Sequence, residues 1–249
     1  MNKRIGITYT AVLLAAGLAA AQVQAAIALD RTRVIYPGSE HAISVSITNN
    51  NQQLPYLAQA WIEDTEGHKI QNPLAVLPPV QRVEPGKMSE VRIQGLPALA
   101  ALPQDRESLF YFNLREIPPR SNKPDVLQIA LQTRVKLFYR PQAIIPNKAQ
   151  MANPWQKQLT LTHVGDGFSV HNPTPYYITL VDAASAAQGK DAKGFQPLMV
   201  PPKGDIALGV KASELGSAPV LTYINDYGGR PQLTFHCAGS SCQVASVKG

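Results

Sequence analysis

Past its first two dozen residues, the chain is built from short segments in which apolar and polar side chains alternate, separated by turn residues. Ile43 to Thr48, Leu57 to Glu63, Val91 to Ile93, Leu109 to Leu114, Gln158 to Thr162, Tyr176 to Val181 and Leu233 to Cys237 all carry this pattern or a comparable density of β-branched and aromatic residues. Pro37-Gly38, Asn49 to Asn51, Pro78-Pro79, Pro85-Gly86 and Gly228-Gly229 supply turns between them, and Gly165 to Gly167 reads as a hairpin turn. Long amphipathic helical periods are absent, although Ala98 to Leu102 could form one helical turn. An all-β protein is expected.

The longest such segment is Val126 to Phe138, which exceeds the usual strand length of roughly 3 to 10 residues. Leu127, Ile129 and Leu131 share one face, and Gln128 and Gln132 share the other. Alternation alone fits an ordinary core strand most simply. The other reading is an edge strand whose exposed apolar row is meant to pair with another chain.

Alternation fails between Arg140 and Asn153, a stretch with two prolines, and a domain boundary is expected there. Residues 26–144 and 145–249 would then be two units, each near the roughly 100 residues of an immunoglobulin-like sandwich. Ala183 to Gly194, small and polar, suggests a mobile surface loop in the second.

The first 25 residues read as a cleaved signal peptide. Lys3 and Arg4 precede an apolar run, and Val23 to Ala25 gives a small-x-small cleavage pattern. The strongest apolar stretch is short of the roughly 20 residues of a membrane span. Export is expected, and cleavage would lower the formal net charge from +6 to +4. The basic residues are dispersed, with no arginine-rich tract, so nucleic acid is not an expected partner.

Cys237 and Cys242 form an even pair in a chain read as exported, which points to a disulfide. A loop so short would contribute about 2 kcal/mol in the chain-entropy account, a local staple on a hairpin. His41, His68, His163, His171 and His236 are scattered, no G-x-S-x-G elbow or phosphate loop occurs, and no metal or cofactor is expected. Trp61 and Trp155 read as core or interface aromatics.

Several blocks resemble one family closely. L-P-Q-D-R-E-S-L-F-Y-F-N-L-R-E-I-P-P (Leu102 to Pro119) is similar, almost position by position, to the signature of the PapD-like periplasmic pilus-assembly chaperones. The resemblance continues through Leu29 to Arg33, Gln53 to Glu63, Leu127 to Thr133, Asn172 to Tyr177 and Tyr223 to Pro231.

This resemblance implies two immunoglobulin-like domains at an angle, with a cleft between them. It implies a non-enzymatic chaperone that binds, folds and caps pilus subunits by strand donation and passes them to an outer-membrane usher. Leu127, Ile129 and Leu131 match the donated apolar row, and Arg33 and Lys136 match two cleft cations that anchor the subunit's C-terminal carboxylate. Lys136 has the opposite parity to the donated row and would point away from it on a regular strand. Glu107, Arg140 and Asp226 match a charged trio linking the domains. The short connection Pro118 to Asp125 resembles the class that builds thick, rod-like pili. An unoccupied apolar row could also pair with a second copy of the chain. The rival from another class is an exported adhesion or carbohydrate-binding module; a hydrolase would need a catalytic constellation that the sequence does not display.

Overall fold

The computed structural model describes residues 25–122, 125–187 and 189–249. The expected signal peptide therefore lies, apart from Ala25, outside the described residues. The architecture is all-β, in two domains with separate hydrophobic cores.

The N-terminal domain faces two sheets against each other. One is ordered β1 (Ile27–Leu29), β3 (Ala42–Asn49), β8 (Met88–Gly95) and β6 (Leu74–Leu77). The other runs β2 (Arg33–Pro37), β10 (Gln132–Arg140), β9 (Ser108–Ile117), β4 (Tyr56–Glu63) and β5 (Lys69–Ile70), with β7 (Val80–Val83) also paired to β4. The first strand changes sheet between β1 and β2, so Asp30 to Thr32 cross the mouth of the sandwich.

Alternation explains what each strand buries. Val45 and Ile47 of β3, Val91 and Ile93 of β8, Phe110, Phe112 and Leu114 of β9, and Val135, Leu137 and Tyr139 of β10 all enter one core. β10 is held on both sides, antiparallel to β9 and parallel to β2.

The C-terminal domain is one continuous ladder in the order β14 (Leu198–Val200), β13 (Ile178–Ala184), β16 (Val220–Ile224), β17 (Gln232–Ala238), β18 (Ser241–Lys248), β11 (Thr160–Val164), β12 (Gly167–Asn172) and β15 (Gly204–Lys211). Only Pro201 to Lys203 separate β14 from β15, so the two ends of the ladder meet and it folds over its own core. Cys237 and Cys242 are disulfide-bonded directly across the β17–β18 hairpin. Between the domains run short helical pieces only: 3-10 turns at Gln142–Ile144 and Trp155–Gln158 flank α1 (Lys148–Ala152), which Asn147 and Gln150 close with a reciprocal capping box.

Four expectations need correction. Val126 to Phe138 is not one strand. β10 begins at Gln132 and runs on to Arg140, while residues 126–131 lie outside any strand. The reason is the missing neighbour: the ladder's last upstream bond is Glu116 N–H to the Leu131 carbonyl, and β9 ends one residue later. Leu127 and Ile129, 85% and 60% exposed, accordingly touch no core. Gln158 falls in a 3-10 turn, so that strand starts at Thr160. Tyr176 and Tyr177 precede β13, because Asn172 and Thr174 take up the backbone groups around Tyr176 in a turn. Ala183 and Ala184 belong to β13 and are buried, and Ala192 packs into the same core, so Ala183 to Gly194 is a surface loop only in part.

The contrast along β10 yields the first prediction. Leu137→Ala, in the sealed core, should cost about 2–5 kcal/mol in urea unfolding. Ile129→Asp should stay within about 0.5 kcal/mol of the parent. Comparable losses for both would mean that Ile129 is internal.

Candidate functional site

The two domains enclose a cleft, and the sequence-predicted charges converge on it. Arg33 opens β2 and Lys136 lies in β10; the parallel register sets them side by side, on the same face of the sheet. Arg33 is buried. One terminal nitrogen donates to the Ile224 carbonyl of the C-terminal domain at 3.1 Å, its guanidinium carbon is 6.0 Å from the Phe138 ring centre, and its buried Nε has no partner. A pocket of about 450 Å³ opens beside it, lined by Asp30, Arg31, Thr32, Arg33, Ile35, Asp226 and Tyr227.

Burial holds the Arg33 guanidinium below its ordinary pKa, although Asp226 and Glu107 pull it the other way from a distance. Burial, with the Arg33 charge beside it, likewise holds the Lys136 ammonium below its ordinary value. Neither cation has an ion-pair partner among the described residues. Two adjacent, partly dehydrated cations are therefore left able to receive an anion with several acceptor lone pairs, as a carboxylate has.

Arg140, the last residue of β10, joins the domains. Its guanidinium lies 2.7 Å from Glu107 Oε1, which also accepts from Arg140 Nε at 2.9 Å, and grips Asp226 by two bonds at 2.8 and 3.2 Å. Glu107 Oε2 accepts from the Tyr177 backbone N–H at 2.8 Å, and the Glu107 N–H donates to the Pro175 carbonyl. Of the remaining supports, the sequence reading gave only Trp155, as a core or interface aromatic. Tyr176 and Trp155 stack with ring centres 4.4 Å apart, and the Arg140 guanidinium carbon lies 4.9 and 5.4 Å from those centres. Lys203 bonds Asp105 at 2.6 Å across the same junction. The adjacent prolines and tyrosines of N-P-T-P-Y-Y were visible in the sequence, but nothing in it paired Asp105 with Lys203.

Asp226 is presented by a tight turn in which Asn225 Oδ1 accepts from Tyr227 and Gly229. Gly228 has φ +84°, and a Cβ there would lie 2.7 Å from the Thr32 hydroxyl oxygen. Glycine thus allows the C-terminal domain's turn to press against the strand crossover.

Burial raises Glu107 from its ordinary 4.5 to about 7, and the donors facing it recover only part of the cost. For Arg140, burial lowers the pKa, but the Glu107 and Asp226 charges more than offset this, leaving it above its ordinary value. The asymmetry follows from numbers: Arg140 faces two carboxylates, whereas Glu107 shares one cation with Asp226.

The apolar row stands apart from the cleft. Leu127 and Ile129 are exposed, Leu131 is half-buried, and Ile129 and Leu131 line a shallow groove of about 400 Å³ with Tyr56 and Glu116. The histidines are not all isolated, contrary to expectation. His68 shares the β4–β5 turn with Asp64 and Glu66, one ligand atom from each lying within 4.8 Å of the others. The backbone causes this cluster: Asp64 Oδ1 already accepts from the Glu66 and His68 N–H groups.

Comparisons with known proteins bear on the family and the fold. Residues 26–145 match the family described as pili and flagellar-assembly chaperone, PapD N-terminal domain, and residues 154–235 match pili assembly chaperone PapD, C-terminal domain. The chain is 52% identical over 243 residues to the probable fimbrial chaperone YfcS of Escherichia coli strain K12, covering 98% of this chain and 94% of that one. It is 51% identical over 225 residues to the chaperone protein PapD of Escherichia coli, covering 90% and 92%. Among solved structures, it is similar to the SafB chaperone in complex with the SafA pilin of Salmonella enterica, with TM-score 0.69, 26% identity and coverage of 86% and 97%.

The raised carboxyl makes a signed prediction. Between pH 4.5 and 7 the folded state holds more protons at Glu107 than the unfolded chain, so this group's contribution is greatest at low pH and is lost as pH rises through 7. The stability of the parent relative to Glu107→Gln should fall between about pH 5 and 7.5 in urea titrations. A relative stability that rises with pH would mean that ion pairing, not burial, governs Glu107.

Proposed function

The chain belongs to the PapD family of pilus-assembly chaperones, and we propose that it is a periplasmic chaperone that binds and caps pilus subunits by lending them a strand, then delivers them to an outer-membrane usher. The signal-peptide pattern at the N-terminus supports the location, and the relatives' names support the client class. The observation that carries the mechanism is an apolar row, exposed at Leu127 and Ile129 and half-buried at Leu131, running straight into the strand that holds Lys136, without an ion-pair partner among the described residues, beside Arg33.

The two features work as a ruler. A subunit whose C-terminal carboxylate rests on Arg33 and Lys136 can align its last strand along residues 126–136. Lys136 lies nine residue steps beyond Leu127, about 30 Å at the strand rise of roughly 3.3 Å per residue. The anchor sets the register, and with period 2 a slip of one residue would turn the apolar row away from the subunit's groove. Backbone hydrogen bonds supply pairing, and each large side chain fully buried adds about 1.5–3 kcal/mol before ordering costs. Strand lending needs no nucleotide or cofactor, since the free energy comes from the subunit's own folding. Glu107, Arg140 and Asp226 hold the C-terminal domain over the anchor, so the cleft keeps its shape while empty.

The test is periplasmic co-purification of subunits with tagged chaperone. The parent should capture subunits; Arg33→Ala, Lys136→Ala and Ile129→Asp, each verified as folded, should retain at least about tenfold less, as expected when a charge-assisted anchor or buried side chain is removed. Equal capture by all four proteins would contradict strand lending from this segment, and no capture by the parent would favour a binding module of another kind.

A further inference from the structure

The outward face of the N-terminal sheet extends beyond the cleft and carries a concentration of cations. One cross-strand row reads Arg33, Lys136, Tyr111, Glu63 and Lys69 across β2, β10, β9, β4 and β5. The next reads Arg134, Asn113 and Trp61, and Arg115 stands on the same face two residues after Asn113. In and beside these two rows stand five cations and one acid, Glu63; Asp64 and Glu66 lie past the end of the rows, in the β4–β5 turn.

Three of these cations are held in place by rings. The Arg134 guanidinium carbon is 3.4 Å from the Tyr111 ring centre, while its Nε donates to Glu63 at 2.9 Å. Arg115 and Lys69 flank Trp61 at 5.0 and 4.2 Å, and Trp61 Nε1 is itself fixed by Glu63. Arg134 and Lys69 remain exposed. Charges ordered in this way lose little freedom on meeting a partner, and an arginine stacked on a ring keeps its outer N–H groups free to donate.

We propose that this face is a second recognition surface, which reads an acidic patch on the subunit beside the strand anchored at Arg33 and Lys136. The inference rests on the chaperone reading, since its occupant is the same subunit. Its continuity with the anchor row places it where a captured subunit would lie, and its excess of positive charge selects an acidic partner. Such a face acts mainly before docking. It raises the encounter rate and orients the approach, and salt weakens it.

The test uses the subunit recovered by co-purification, unfolded in urea and diluted into excess chaperone in a stopped-flow instrument between about 20 and 500 mM NaCl. The double variant Arg134→Gln/Lys69→Gln should capture it about tenfold more slowly than the parent at the lowest salt and at the parent's rate at the highest, with dissociation changed less than about twofold. A folded double variant with the parent's capture rate and salt dependence would overturn the proposal. So would a variant that captures normally but loses binding to vesicles of anionic phospholipid, which would assign the face to membrane. If Arg33→Ala also captures like the parent, or if no subunit is recovered, the fault lies in the chaperone reading, and this proposal falls with it.

Discussion

The position of β10 between β2 and β9 is the constraint on which the molecule depends. Two ladders, one parallel and one antiparallel, fix its register, and alternation then distributes its side chains without further choice. Val135, Leu137 and Tyr139 go into the core. Arg134 and Lys136 go to the outward face, Lys136 beside Arg33. Arg140 ends the strand at the domain junction, and upstream of Gln132 the chain runs out of neighbours. Core, anchor, hinge and exposed row are consecutive parts of one extended segment, so a register error would disturb all four.

The cleft's electrostatics show the same division between settled and unsettled charge. At the junction, two carboxylates and one guanidinium satisfy one another under two aromatic rings, an arrangement suited to orientation more than to net stability. A short distance away, Arg33 and Lys136 are partly dehydrated with only partial compensation, from the Ile224 carbonyl and the more distant Asp226 and Glu107 charges at Arg33. A protein that only had to fold would gain by placing an acid there or by exposing the pair. Retaining them costs stability in the empty state and favours whatever brings a negative group into the cleft. The exposed Leu127 and Ile129 are the apolar counterpart of that unmet demand.

Much of this was legible in the sequence. Strands with one wet face declared themselves by alternation, β3, β4 and β9 most clearly. Strands buried on both faces did not: Val220 to Tyr223 of β16 are all buried and have no period to read. β15 was not picked out as a strand, although Ile206, Leu208 and Val210 alternate within it. The overlong strand at Val126 was the instructive error. Its alternation is real, but a strand needs a partner, and among the described residues none reaches past Leu131. The trio Glu107, Arg140 and Asp226 came only through family resemblance, because contacts spanning 33 and 86 residues leave no local pattern.

The central claim is that residues 126–130 are outside any ladder in the free chain and become a strand on the subunit. Amide hydrogen exchange, resolved by residue in the free and subunit-bound chaperone, tests it most directly. Amides of the core part of β10, Val135 to Tyr139, should be protected in both states, and those of Leu127 to Leu131 should gain protection only in the complex. Fast exchange at Leu127 to Leu131 in a stable complex would contradict the account.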